Sequence, residues 1–409
     1  MPVQKDMRDY TMEYKAGKVH NEMKKTVPLL FILFLPLSWA ASPIGSVYRW
    51  IILGLFAFHI MKSGPMLRVD RTFARGFLVM SGLVAYMLLS VAWGSSMGEG
   101  IKNAMGFSLM YLVAIVFSSY NYGQVSLRKR LDQCWIAVGI ICSILFLFGD
   151  RAKIGVYGSR TSLRILGTST DPNEFAGLFS IIVAINIYYV LSSRGKERLI
   201  NAVAVAVELY VVLLSGSRGA MIACVFSIGA TALMFVQKRP GKIVLVTVAA
   251  VLLLTAFSKF IIPHIPLDLL KRMSIQTLFA DGGGGRSTIW GNALHDFFSG
   301  NPLRVLFGYG ANGLIVNGER GATATMHNYY LQLLTNFGII GLCLYLVLFW
   351  SVVRRFWRLD RKYVPGLLAM AILALTLTTS PNYKPMWILM MTALIPKDHL
   401  IERKKGREK

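Results

Sequence analysis

The chain has 409 residues, 55% of them hydrophobic and only 16% charged, whereas a soluble globular protein carries about a quarter charged residues. That balance argues against a soluble enzyme. The net charge of +24 does not point to nucleic acid either, because Lys and Arg gather in alternate gaps between apolar runs.

Apolar runs of membrane-crossing character occur at about Val27–Ala41, Ser46–Met61, Gly76–Trp93, Ala104–Tyr120, Gln133–Phe148, Glu174–Leu191, Leu199–Leu214, Gly219–Val236, Ile243–Ile262, Asn328–Val353, Val364–Thr379 and Pro385–Ile395. The expectation is an all-α polytopic membrane protein of about twelve transmembrane helices. Its parts are a basic tail over 1–26, helices over 27–262, a large connection over 263–326, further helices over 327–396 and a second basic tail over 397–409. The basic clusters put both termini and the even-numbered connections in the cytoplasm, and the large connection outside. Trp39-Ala40-Ala41-Ser42 faintly resembles a signal-peptide cleavage site, but the charge alternation favours an uncleaved anchor. The four cysteines, Cys134, Cys142, Cys224 and Cys343, have no metal-site spacing and read as small buried hydrophobes.

The outer gaps should be poor in positive charge, yet Arg160 and Arg164 lie before the sixth span, and Arg286 lies in the large connection. Arg218 occupies the tight turn Ser215-Gly216-Ser217-Arg218-Gly219 and opens a helix, where the dipole disfavours a cation. Such a residue is better explained by a ligand. The helices beginning near Asp171, Arg218 and His327 all aim unpaired N–H groups outward, which favours an anion, and arginine grips phosphate through two parallel hydrogen bonds.

In chain order, Asp171-Pro172-Asn173-Glu174 reads as an N-cap, a first-turn proline and the returning arm of a capping box, leaving Asn173 free for a ligand. Glu208 is the one carboxylate well inside a span and is a functional candidate, either paired with an arginine above it or held protonated, with no partner named by the sequence. His59 and His264 have no ligand-spaced partners. The run Asp281 to Gly285 feeds an amphipathic helix whose apolar face is Ile289, Trp290, Ala293, Leu294, Phe297 and Phe298; with Arg286 at its hinge, a mobile arm is expected. The alternative is a helix resting on the membrane or packed over the bundle. Phe307 to Gly313 reads as a turn-rich return. His327 is expected to begin a helix and share one face with Leu331, Leu334, Gly338 and Gly341, the glycines admitting a close neighbour. The helix terminus would keep its imidazole neutral and able to take a proton, with Asn328 beside it as a second polar group.

Four features in this order, Asp171-Pro172-Asn173, Ser217-Arg218-Gly219, Arg286 ahead of Trp290, and His327-Asn328 followed by Gly338 and Gly341, resemble the O-antigen ligase and O-antigen polymerase superfamily of bacterial membrane glycosyltransferases. The resemblance covers about Gly167 to Trp350. It implies a GT-C-like helical fold in the bacterial inner membrane and an undecaprenyl-diphosphate-linked glycan donor. The acceptor would be the sugar hydroxyl of a lipid-linked repeat or of lipid A–core, and transfer would invert the anomeric centre without metal or cofactor. It makes Arg218 and Arg286 diphosphate-binding residues and His327 the essential histidine. Asn328, Asn173, Arg160 and Arg164 are the expected substrate contacts. A polymerase is expected ahead of a ligase, because no feature of the large connection can be tied to a lipid A–core acceptor. A transporter or flippase is the rival, but no internal repeat or midplane polar constellation is visible.

Overall fold

The computed structural model describes residues 26–42, 45–63, 73–94, 97–120, 125–154, 160–236, 267–273, 286–311, 316–317, 323–324, 326–376 and 383–395, with isolated positions 259, 263 and 276. Most of them are helical. Among the described residues, seven helices are long and apolar enough to cross a bilayer, at Ala74–Trp93, Gly100–Ser118, Leu127–Phe148, Pro172–Ser192, Gly195–Ser215, Arg218–Val236 and Tyr329–Leu359. They coincide with the third to eighth and the tenth expected spans. The ninth span, the run 281–285, His264 and both basic tails lie outside the described residues.

The other expected spans differ in detail. Val27–Ala41 is helical only to residue 33 and then turns through a 3-10 segment at Leu35–Trp39. Pro36 lacks the N–H that would continue the ladder. The second span is the helix α1, Val47–Ser63. The eleventh and twelfth contain short apolar helices, Tyr363–Leu373 and Lys384–Thr392.

The remaining helices are α2 (Ala74–Leu89), α3 (Met97–Ser118), α4 (Val125–Phe148), α5 (Pro172–Ser192), α6 (Gly195–Ser215), α7 (Arg218–Val236), α8 (Leu267–Met273), α9 (Arg286–Phe298), α10 (Pro302–Phe307) and α11 (Tyr329–Leu359). The two short apolar helices are α12 and α13. A small sheet corrects the all-α expectation. Strands β3 (Arg151–Ile154), β4 (Arg160–Ile165) and β5 (Thr168–Ser169) pair antiparallel in that order. The β4–β5 turn puts Leu166 at φ 50° and Gly167 at φ 78°, the left-handed pair a tight hairpin demands. Two further ladders, β1 (Ala41–Ser42) with β2 (Gly45–Ser46) and β6 (Val316–Asn317) with β7 (Thr323–Ala324), have two residues per strand.

Helix α5 is the centre of the bundle. Every residue from Phe175 to Asn186 is buried, so the helix has no solvent or lipid face there, and α4, α6, α7 and α12 surround it. Gly366 of α12 lets that helix approach closely: a Cβ there would meet Ile181 Cα at 3.1 Å. The outer faces carry exposed Leu78, Leu89, Ile141, Ile144, Val225, Leu346, Val347 and Trp350, an apolar belt suited to lipid. Cys343 is exposed, contrary to expectation, whereas Cys134, Cys142 and Cys224 are buried.

Two polar locks cross the bundle. Near the start of α4, Asp132 accepts from Tyr189 Oη (2.6 Å), Lys362 Nζ (2.6 Å) and Tyr363 Oη (2.7 Å), binding the end of α5 to the turn between α11 and α12. Deeper in, Asn186 Nδ2 donates to both oxygens of Glu208 at 2.9 Å. The partner of Glu208 in the bundle is therefore this asparagine. Buried polar groups without partners are costly, so each lock fixes how its helices pack.

Candidate active site

At the opposite end of the bundle from Asp132, the start of α5, the α6–α7 turn and the start of α11 converge. Asp171 caps α5, accepting from Asn173 N (2.7 Å) and Glu174 N (3.2 Å), with Pro172 as the first helical residue. Asn173 is buried, and its Oδ1 accepts from Arg160 Nη2 on β4 and Ser217 Oγ in the α6–α7 turn, each at 2.8 Å. The amide oxygen of Asn173, a residue expected to contact a ligand, is thus engaged in holding protein groups, and its Nδ2 remains the group to meet one.

The α6–α7 turn is tight because Gly216 takes φ 71° as the C-cap of α6, a conformation glycine adopts without strain. Ser217 Oγ also accepts from Ala220 N at 3.3 Å, completing the entry to α7. Arg218 follows as the first residue of α7, as the sequence indicated. A Cβ on Gly219 would collide with Thr376 Oγ1, so the turn sits directly against the end of α12.

Helix α9 begins at Arg286 and is docked on the bundle. Its apolar face, with Ala293 buried and Ile289 and Trp290 beside it, packs on Met326, Leu331 and Leu334. Trp290 Nε1 donates to the Met326 carbonyl at 2.8 Å. This is the packed alternative to a free arm, and it ties the Arg286 helix to the residue before His327.

His327 corrects two expectations. It is not the first helical residue: α11 starts at Tyr329, and His327 stands before it with φ 47°. Asn328 is the N-cap, its Oδ1 accepting from Tyr330 N and Leu331 N at 3.1 Å, so its amide has a structural task. The left-handed backbone at His327 is uncommon outside glycine and is held by flanking anchors, Trp290 on Met326 and Tyr329 N on Ala374 O at 2.8 Å. The cause of its neutrality also differs from the helix-terminus argument. Burial lowers the His327 pKa from the usual imidazole value; Arg286 and then Arg160 add to the effect, while Asp171 opposes it.

Gly338 does not lie on a continuous helical face. With φ 66° and ψ −172° it breaks α11, and a Cβ there would strike the Leu306 carbonyl. The close neighbour of Gly338 is the end of α10 with Gly308, whereas Gly341 meets Tyr86 of the membrane helix α2, as expected.

Burial also pulls Arg160 below the ordinary guanidinium range, with Asp171 opposing and Arg286 and Arg218 reinforcing. Arg160, Arg218, Arg286, Asp171 and His327, from four separate stretches of chain, therefore share one electrostatic neighbourhood. Arg164 is not part of it: its side chain is exposed on the sheet and faces Asp150 at 3.8 Å. Among the described residues, three guanidinium groups beside one carboxylate leave an excess of positive charge suited to an anion, with the His327 imidazole among them. Sequence reasoning missed Ser217 as a partner of Asn173. Its only signal was a serine just before a helix start.

Residues 202–346 match the family model described as O-antigen ligase, consistent with the O-antigen ligase and polymerase superfamily. No curated protein matches the chain. The matched stretch contains Arg218, Arg286 and His327. The seven apolar helices suit an integral membrane protein, and over residues 202–346 the chain is similar to the O-antigen ligase family.

Proposed function

We propose that this protein transfers a glycan from an undecaprenyl-diphosphate carrier to a sugar hydroxyl at the extracytoplasmic face of the bacterial inner membrane, without metal, inverting the anomeric centre. The observation that carries the reading is the shared electrostatic neighbourhood of Arg160, Arg218, Arg286 and His327.

The donor is already activated by its diphosphate, so the main task is to stabilise charge developing on the bridging oxygen as the glycosidic bond breaks. Arg218 and Arg286, with the dipole at the start of α7, supply that stabilisation electrostatically. Arg160, held by Asn173, adds a third guanidinium on the sheet side. A neutral His327 orients the acceptor hydroxyl and takes its proton as the new bond forms.

The acceptor on this reading is the next lipid-linked repeat, as in a polymerase. The description of the matching family model favours a second reading, ligation to lipid A–core. Glycan analysis of a deletion strain separates the two: single-repeat product marks a lost polymerase, and long chains stranded on carrier lipid mark a lost ligase. Complementation with His327→Ala tests transfer itself. Glycan product should vanish at an unchanged protein level, and unchanged product would reject the mechanism.

A further inference from the structure

The stretch after α9 reads from sequence as part of an aqueous loop, yet its bonding partners lie within the membrane-crossing helices. Tyr309 N donates to Thr335 O and Gly310 N to Asn336 O, both at 2.9 Å, taking up carbonyls at the α11 break. Tyr86 Oη donates to Phe307 O at 2.8 Å and to Phe337 O at 3.0 Å. Arg304 Nη1 donates to Trp93 O at 3.1 Å, at the end of the α2 span.

These partners fix a depth. Tyr86 stands seven residues before Trp93, about 10 Å along the helix at 1.5 Å per residue. On α11, the unbroken helix from Arg354 back to Ile339 rises about 22 Å, less than the hydrocarbon thickness of about 30 Å, so the break at Gly338 lies inside it. The segment bonded at the break lies at the same level.

The outward side of that segment is apolar. Leu303 is 61% exposed, Leu306 43% and Phe307 41%, and Ile339 of α11, next in the chain to the bonded Gly338, is similarly exposed. Its backbone is simultaneously well paired: Gly308 N reaches Arg304 O at 2.8 Å, in addition to the Tyr309 and Gly310 bonds. Non-helical backbone tolerates hydrocarbon only when its polar groups are satisfied by protein, and this pairing meets that condition. Three glycines allow the approach. A Cβ on Gly308 would strike Asn336, one on Gly310 would strike Gly94, and one on Gly338 would strike Leu306.

We infer that residues 302–311 form a re-entrant segment embedded in the membrane leaflet on the His327 side, with Leu303, Leu306 and Phe307 contacting the acyl chains of the bilayer. The inference is independent of the transfer reaction, since it uses only the depth of the bonded partners and the apolar outward face. It makes the base of the large connection a fixture of the membrane.

The full-length protein in liposomes provides the test. In a Cys343→Ser background, single cysteines replace Leu303, Leu306 and Phe307 and carry a nitroxide. Collision with oxygen and with a water-soluble nickel chelate is then compared with labels at Val347 and Thr288. Oxygen-to-nickel ratios at Leu306 and Phe307 within about twofold of Val347 are expected. Ratios like that of Thr288, or shielding from both reagents as under a second protein surface, would overturn the inference. A photoactivatable lipid applied to the unmodified protein gives a variant-free check: it should label the peptide containing residues 302–311, and absence of label there with label on α11 counts against the inference.

Discussion

Trp290 donates its indole N–H to the carbonyl of Met326 across 2.8 Å, and thereby couples the helix that begins with Arg286 to the residue preceding His327. The bond joins the middle of the large connection to its end, where the proposed mechanism has a guanidinium and an imidazole act on the same substrate. Trp290→Phe keeps the apolar packing and removes the bond. The expected result is about a fivefold fall in transfer rate, in line with about 1 kcal/mol for one hydrogen bond, with protein level maintained. Rates measured on lipid-linked substrate in proteoliposomes decide it; wild-type turnover would mean that packing alone positions α9.

His327 has a left-handed backbone, so two requirements overlap at one position. Asparagine tolerates that conformation but cannot serve as a base. His327→Asn should therefore retain the wild-type melting temperature in detergent and lose glycan transfer. Activity in this variant would remove the imidazole from the mechanism.

The pH dependence follows from the direction of the His327 shift. Burial, Arg286 and Arg160 favour the neutral ring, so its folded pKa lies below the usual value near 6.5. Activity that needs neutral imidazole is retained above that folded pKa and declines as pH falls through it. The acidic limb of the rate profile should lie below about pH 6.5. Arg160→Gln removes one of the charges lowering the pKa, so residual activity should show its limb displaced to higher pH. A limb that does not move would assign it to another group.

Arg218→Lys preserves the charge but not the planar fork. A loss of about tenfold or more is expected if the guanidinium binds phosphate through two bonds. Near-normal turnover across substrate concentrations would contradict that geometry.

Gly338→Ala places a Cβ against the Leu306 carbonyl at a left-handed φ. Strain of about 1–3 kcal/mol is expected, read as a lower melting temperature of purified protein. An unchanged transition would show that the break can close into regular helix.

Much of the bundle was legible because its signals are local. Continuous apolar runs marked the long helices, Asp171-Pro172 marked the start of α5, and Ser217-Arg218 marked the start of α7. Leu166-Gly167 was not read as a hairpin turn, since a short strand pair gives little periodicity beside long apolar runs.

The sequence by itself determined that the chain is apolar enough to enter a membrane, where most long helices run, and that arginines accumulate in connections expected on the same side as His327. It did so because hydropathy and capping act over a few consecutive residues. Tertiary structure alone decided that Asn173 holds Arg160 and Ser217, that Glu208 faces Asn186, and that Gly338 breaks α11 to receive the chain after α10. Those choices join residues far apart in the chain, and their energies depend on which partner is near when each polar group leaves water.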